Sequence, residues 1–224
     1  MLTQLVLRLF TLVSHLPLWL LHAGGSLLGV LLWVFDSGHR RRLMANTTLA
    51  GLSFSHKLLA TLHAGRMVAE LPRLWCGKPV PMYWNGLDIL RDSVQPGHSV
   101  VLLTPHMGCF EINAKAYAQV FAHAGLADVA KPMTVLFRPS RQAGLQDLVR
   151  SAREGEGLYA APTNTSGVKQ LIRALNNKEA VGLLPDQVPP NGMGAWCTFL
   201  GQPAYTMTLA AKLAQQADHV LLMW

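Results

Sequence analysis

The scarcest thing in this sequence is charge. Only 14% of the 224 residues are Asp, Glu, Lys or Arg, and none of these four occurs in the 27 residues from Leu9 to Phe35, "LFTLVSHLPLWLLHAGGSLLGVLLWVF". Half of the chain is hydrophobic and its mean hydropathy is positive, an apolar balance that points to membrane contact. Acidic residues are scarcer still, twelve against nineteen basic ones, for a net charge of +7. Such a balance attracts phospholipid surfaces, phosphorylated lipids, acidic carrier proteins or nucleic acid, and does not choose among them. The three cysteines, Cys76, Cys109 and Cys197, are far apart and include no C-x-x-C pair, which argues against a disulfide framework and a zinc site. Free thiols fit the reducing side of a membrane. There is no P-loop and no G-x-G-x-x-G fingerprint, so no bound nucleotide is indicated.

The uncharged segment is long. As one helix it would run about 40 Å, more than the roughly 30 Å of a bilayer's hydrocarbon core, so a single tilted or broken transmembrane span is expected. Pro17 and the Gly24-Gly25 pair are the places to expect a kink. A cleaved signal peptide is the competing reading, but the apolar run is too long for it and has no clear A-x-A site. Arg40, Arg41 and Arg42 follow the span and outweigh Arg8 before it, which puts the remainder on the cytoplasmic side by the positive-inside rule. The same arginines also suit lipid phosphates. A membrane anchor over residues 1–39 and one domain of ordinary size over 40–224 are therefore expected.

Residues 46–75 carry apolar side chains at helical spacing, for one or two amphipathic helices on or near the membrane, and 88–94 suit a short helix. Four aliphatic runs follow: "VVLLT" from Val100, "MTVLF" from Met133, "GLYAA" from Gly157 and "AVGLL" from Ala180. Helical patterns over about 108–124, 140–153 and 166–177 separate them. Alternation of this kind with short connections predicts an α/β fold, a mostly parallel sheet flanked by helices. A further short strand in "CTFLG" and a helix over about 206–216 are expected next. The strand-like "HVLLMW" comes last and has no crossover after it, so the ending reads as a domain cut short.

In open α/β sheets ligands collect beyond the C-terminal ends of the strands. Those ends carry Pro105 and His106 after the first run, Arg138 after the second, and Pro185, Asp186 and Gln187 after the fourth. His106 and Glu111, in "LLTPHMGCFE", would point roughly 140° apart on one helix. They converge only if His106 is in the loop, Glu111 is in the first helical turn, and Gly108 makes the bend. The face Phe110, Ala114, Tyr117 and Phe121 then packs on the sheet. So arranged, a carboxylate holds the imidazole in one tautomer and His106 is a competent general base for a hydroxyl. The spacing equally suits a solvated helix on which Glu111 pairs with Lys115. No Ser or Cys at nucleophile-elbow spacing lies nearby, which favours direct transfer over a covalent enzyme intermediate. Arg138 suits a phosphate or a developing oxyanion, or a strand-end salt bridge. Asp186 suits positioning of Arg138, His106 or a ligand, or a plain turn. Thr163, Asn164 and Ser166 read mainly as a loop and helix N-cap. "PMYWNG" and "NGMGAWCTF" suit an acyl-chain groove or ordinary packing.

In order, the apolar N-terminus, "NTTLAGLSF", "TPHMGCFE", "LFRPS" and "GLLPDQVPPNGMGAWCTFLGQPAYTMTLAAKLA" resemble the lipid A biosynthesis (late) acyltransferases, members of the wider lysophospholipid acyltransferase superfamily. The resemblance implies a glycerolipid acyltransferase-like fold and a bacterial inner-membrane enzyme with its catalytic domain facing the cytoplasm. That enzyme would move a fatty acyl group from acyl carrier protein to a hydroxyl of the lipid A precursor. It further implies His106 as the base and Glu111 as its orienting acid, with Arg138, Asp186 and Gln187 at the substrate. No metal or other cofactor and no nucleic acid enters this scheme. A different lipid acceptor (lysophospholipid, ornithine lipid or glycolipid), or a non-catalytic lipid-binding fragment, are the alternatives.

Overall fold

The computed structural model describes residues 2–123, 131–137, 155 and 157–224. The chain forms two compact units. One comprises Met1–Pro79 with Phe199–Gln202, the other Val80–Thr198 with Pro203–Trp224.

The first unit is helical: α1 (Leu2–Ser14), α2 (Leu18–Phe35), α3 (Ser37–Leu49) and α4 (Phe54–Cys76). The expected break falls at Pro17, which precedes α2 in an extended conformation and cannot continue α1. Helix α2 runs without interruption through Gly24 and Gly25. The surroundings of Gly25 show what a glycine does there. A Cβ on Gly25 would stand 2.7 Å from the Cα of Arg66, one on Gly29 would strike the carbonyl oxygen of Thr61, and one on Gly65 would strike the backbone of Gly25 and Gly29. The small residues let two backbones touch, which is their use in helix pairs. The pairing order is antiparallel, since Gly29 meets Thr61 while His22 meets Glu70. Polar ties run along the same seam: His22 Nε2 lies 2.6 Å from Glu70 Oε1, and Arg66 Nε donates to Ser26 Oγ at 2.7 Å. Helix α2 is long and apolar enough to cross a membrane. At its end Arg40 donates to the carbonyls of Trp33 and Val34, both at 3.1 Å, and stacks over the Trp33 ring. One of the three arginines thus satisfies helix-end carbonyls.

The second unit contains α5 (Leu87–Ser93), β1 (Val100–Leu103), a 3-10 turn (Phe110–Ile112) leading into α6 (Asn113–His123), β2 (Met133–Phe137) and β3 (Leu158–Pro162). These are followed by α7 (Thr165–Asn176), β4 (Ala180–Leu183), β5 (Gly194–Phe199), β6 (Gln202–Met207), α8 (Leu209–Ala214) and β7 (His219–Leu222). Five strands form a parallel sheet in the order β3-β2-β4-β1-β7. The α/β expectation and all four aliphatic runs are met. The final run also becomes a strand, at the sheet edge beside β1. Of "CTFLG", Cys197–Phe199 end β5 and Leu200-Gly201 form the turn into β6, the one partner of β5 among the described residues; Thr206 and Met207, expected in a helix, end β6 instead, and α8 starts later. The expected helix over 140–153 lies outside the described residues.

Strand alternation sends neighbouring residues to opposite faces. Val100 and Leu102 join Leu90, Val94, Tyr117, Val120 and Met133 on one side, while Val101 joins Leu171, Leu175, Val181 and Leu213 on the other. Both faces are therefore covered, as an all-parallel sheet needs. Each such aliphatic residue, once buried, contributes about 1.5–3 kcal/mol. Asn164 caps α7 by accepting from the Gly167 N–H at 3.0 Å, as its position in the sequence predicts. At the N-terminal end of the sheet Asp218 Oδ2 accepts from Ser99 N and Ser99 Oγ, each at 2.7 Å, and from Lys178 Nζ at 3.0 Å. That carboxylate ties the starts of β1, β7 and β4 together.

Candidate active site

Strands β1 and β4 are neighbours, and Leu103 faces Leu183 in their register. The ladder continues one step further, where the Thr104 N–H donates to the Leu183 carbonyl at 3.2 Å. Three residues beyond Leu103 is His106; three beyond Leu183 is Asp186. Equal offsets from a matched pair bring the two side chains together at the C-terminal end of the sheet. Asp186 Oδ1 lies 2.6 Å from His106 Nδ1, and Oδ2 accepts from the His106 backbone N–H at 2.8 Å. The carboxylate grips both the ring and the main chain of one residue.

This contact fixes the chemistry of the ring. With Nδ1–H directed at a carboxylate, the free lone pair is on Nε2, the tautomer a general base requires. The side-chain amide nitrogen of Gln187 lies 3.1 Å from that Nε2. Phe110 sets its ring edge-on to the imidazole, centroids 4.6 Å apart. Burial on its own would raise the Asp186 carboxyl, but the side-chain and backbone hydrogen bonds from His106 outweigh it and hold the group below the ordinary carboxylate range. Asp186 is thus anionic at neutral pH.

The loop that carries His106 is built locally. Gly108 adopts φ +54, a conformation that favours glycine, and turns the chain into Phe110–Ile112. Asn113, the first residue of α6, donates to Thr104 Oγ1 at 2.7 Å and pins the helix start to the strand end. On α6, Tyr117 is buried and Ala114 packs against the core as expected. Phe110, read as part of the same face, instead lines the site. Glu111 is half-buried in the 3-10 turn. Arg138 lies outside the described residues. Among the described residues no group of three His, Cys, Asp or Glu side chains could hold a metal ion.

The juxtaposition of His106 with Asp186 follows from strand order, which a sequence does not print. Asn113 gave no signal, since the helical pattern already runs from about residue 108 and only the structure puts Asn113 at the head of α6. The residues surrounding this pair also carry a family pattern: a model of bacterial lipid A biosynthesis acyltransferases matches residues 59–223. The chain belongs to the bacterial lipid A biosynthesis acyltransferase family. No curated protein matches it. The family match supports acyltransferase activity and includes all of His106, Glu111, Arg138, Asp186 and Gln187. It begins within α4, so α2 owes its membrane reading to length and composition alone.

Proposed function

We propose that this acyltransferase moves a fatty acyl group from the thioester of acyl carrier protein to a hydroxyl of a lipid A precursor, at the cytoplasmic face of the bacterial inner membrane. The observation that carries the reading is the His106–Asp186 pair at the C-terminal ends of two adjacent parallel strands in a chain of this family. His106 Nε2 takes the hydroxyl proton as the hydroxyl oxygen forms its bond to the thioester carbonyl carbon. The C–S bond then breaks, the acyl ester is left on the acceptor, and the imidazolium returns the proton to the departing thiolate. Asp186 keeps Nδ1–H in place and offsets the imidazolium charge. Glu111 is the second acid of the site, and Arg138 is assigned to an acceptor phosphate or to the oxyanion. Gln187 must release Nε2 before a hydroxyl can reach it, and its amide N–H is then free to meet the substrate. Helix α2 attaches the chain to the bilayer that contains the acceptor, and the net charge of +7 favours both an acidic carrier protein and lipid phosphates.

The test is acyl transfer by membranes carrying this chain or its His106→Ala variant, with acyl carrier thioester and lipid A precursor supplied. A loss of at least about 10²-fold is expected. Equal transfer by the two would overturn His106 as the base, and mass spectrometry of the product identifies the lipid that gained the chain.

A further inference from the structure

Strands β5 and β6 form a two-stranded ribbon outside the main sheet. No residue from Val188 to Ala211 is charged, so the segment offers nothing to a phosphate or to an ionic protein partner. What it offers is apolar: Trp196 is 72% exposed, Phe199 63% and Leu200 52%, with Val188 and Met193 exposed beside them. Two strands with no further neighbour are marginal in water, and an uncovered apolar edge is a hazard there.

The root of the ribbon is rigid. The Tyr205 hydroxyl accepts from the N–H groups of Gly192 and Gly194, at 2.9 and 3.0 Å, and its ring packs on Trp196. Thr208 donates through both its N–H and its hydroxyl to the Met193 carbonyl. A Cβ on Gly194 would stand 2.8 Å from Thr206 O and from the Tyr205 ring, so the strands meet at van der Waals limit. This rigid root begins a few residues after Asp186 and Gln187.

We propose that the ribbon is a second membrane contact of this chain, with Phe199, Leu200 and Trp196 in the boundary between headgroups and acyl chains. Aromatic side chains without charge are what that layer selects. The depth is limited by the backbone: unpaired edge N–H and C=O groups must keep water or headgroups, so the ribbon enters the interface and not the hydrocarbon centre. It would hold the Asp186–Gln187 segment at the level where an amphiphilic acceptor presents its polar part. The inference rests on the membrane attachment proposed above, and its failure is separable from failure of that attachment.

The experiment places an environment-sensitive fluorophore on the native Cys197 of the full chain with Cys76→Ala and Cys109→Ala, in vesicles of phosphatidylethanolamine and phosphatidylglycerol. Flotation with the vesicles reports attachment; failure to float overturns both readings. Given flotation, nitroxide-bearing lipids are expected to lower the emission by more than about half, with little effect from aqueous iodide. A probe at Asp92→Cys, on α5, should show the reverse. Iodide access at Cys197 overturns the ribbon contact and leaves α2 attached. Shielding from both quenchers with crosslinking to a second copy, or shielding that requires the acyl thioester, also overturns it, in favour of self-association or of a substrate groove. Oxidative footprinting of the unsubstituted chain gives the same answer without the cysteine changes: Met193 and Trp196 should be protected in vesicles, and equal oxidation with and without vesicles would contradict the contact.

Discussion

The two ends of β1 each carry an aspartate that ties it to its neighbours, and they differ in the partner. At the N-terminal end Asp218 is held by a backbone N–H, a serine hydroxyl and a lysine, none of which changes charge near neutral pH. At the C-terminal end Asp186 is held by a backbone N–H and an imidazole, which does. In both cases hydrogen bonds keep the carboxyl below its ordinary range, more strongly for Asp218. A carboxylate fixed by groups of constant charge is a fastener; one fixed to histidine can serve proton transfer. The perturbed acid alone does not mark the site, and the titratable partner does.

The sharpest way to break this contrast is to make the same change at each end. Asp186→Asn is expected to lower kcat by roughly 10²–10⁴-fold, because the amide no longer enforces the Nδ1–H tautomer, while the thermal midpoint in detergent falls by less than for the same change at Asp218, whose carboxyl is the more depressed. Glu111→Gln, measured in parallel, reports how much of the orienting role Glu111 shares; a loss as large as that of Asp186→Asn would make the two acids equal partners. A second comparison lies within the α2–α4 pair. Gly65→Val forces a side chain into the backbone of Gly25 and Gly29 and should cost about 1–3 kcal/mol or more, read as a lower midpoint or less folded protein.

Asp218→Asn should lower the midpoint by roughly a few degrees and leave kcat per folded molecule unchanged. Its pH dependence follows from the direction of the shift. A carboxyl depressed on folding contributes fully above its unfolded pKa of about 3.9 and loses that contribution as pH falls through the folded value. The midpoint gap between the natural chain and Asp218→Asn should therefore be constant above about pH 5 and close in more acidic buffer. The smallest effect belongs to Gly24→Ala. Nothing stands within 4 Å of a Cβ there, so removing a helical glycine should stabilise by about 0.5–1 kcal/mol or less.

These pairs show what was legible in the sequence. The strands were, because short aliphatic runs bounded by turn residues and separated by helical patterns have few other readings, and His106, Asp186 and Gln187 were singled out by their places after strand ends. The bond between His106 and Asp186 was not, since it depends on β4 lying beside β1 although β2 and β3 intervene in sequence. Gly24 and Gly25 read alike as flexible, yet Gly25 meets Arg66 while Gly24 meets nothing, a difference created by α4. Strand β6 was missed in part because Pro203 and a following apolar stretch resemble a helix start; at a two-stranded ribbon's edge a proline gives up little.

The matched offsets of His106 and Asp186 from Leu103 and Leu183 have a consequence for how this site can change. Each acts as one leg of a caliper hinged on the β1–β4 register, and the legs meet because they are the same length. Side chains along either leg can be exchanged while the tips still touch. Adding or deleting one residue, whatever its identity, displaces one tip by up to about 3.5 Å, more than a hydrogen bond can span. For "TPH" and "PDQ" the constrained quantity is spacing, and a lineage could rewrite their letters more easily than their count.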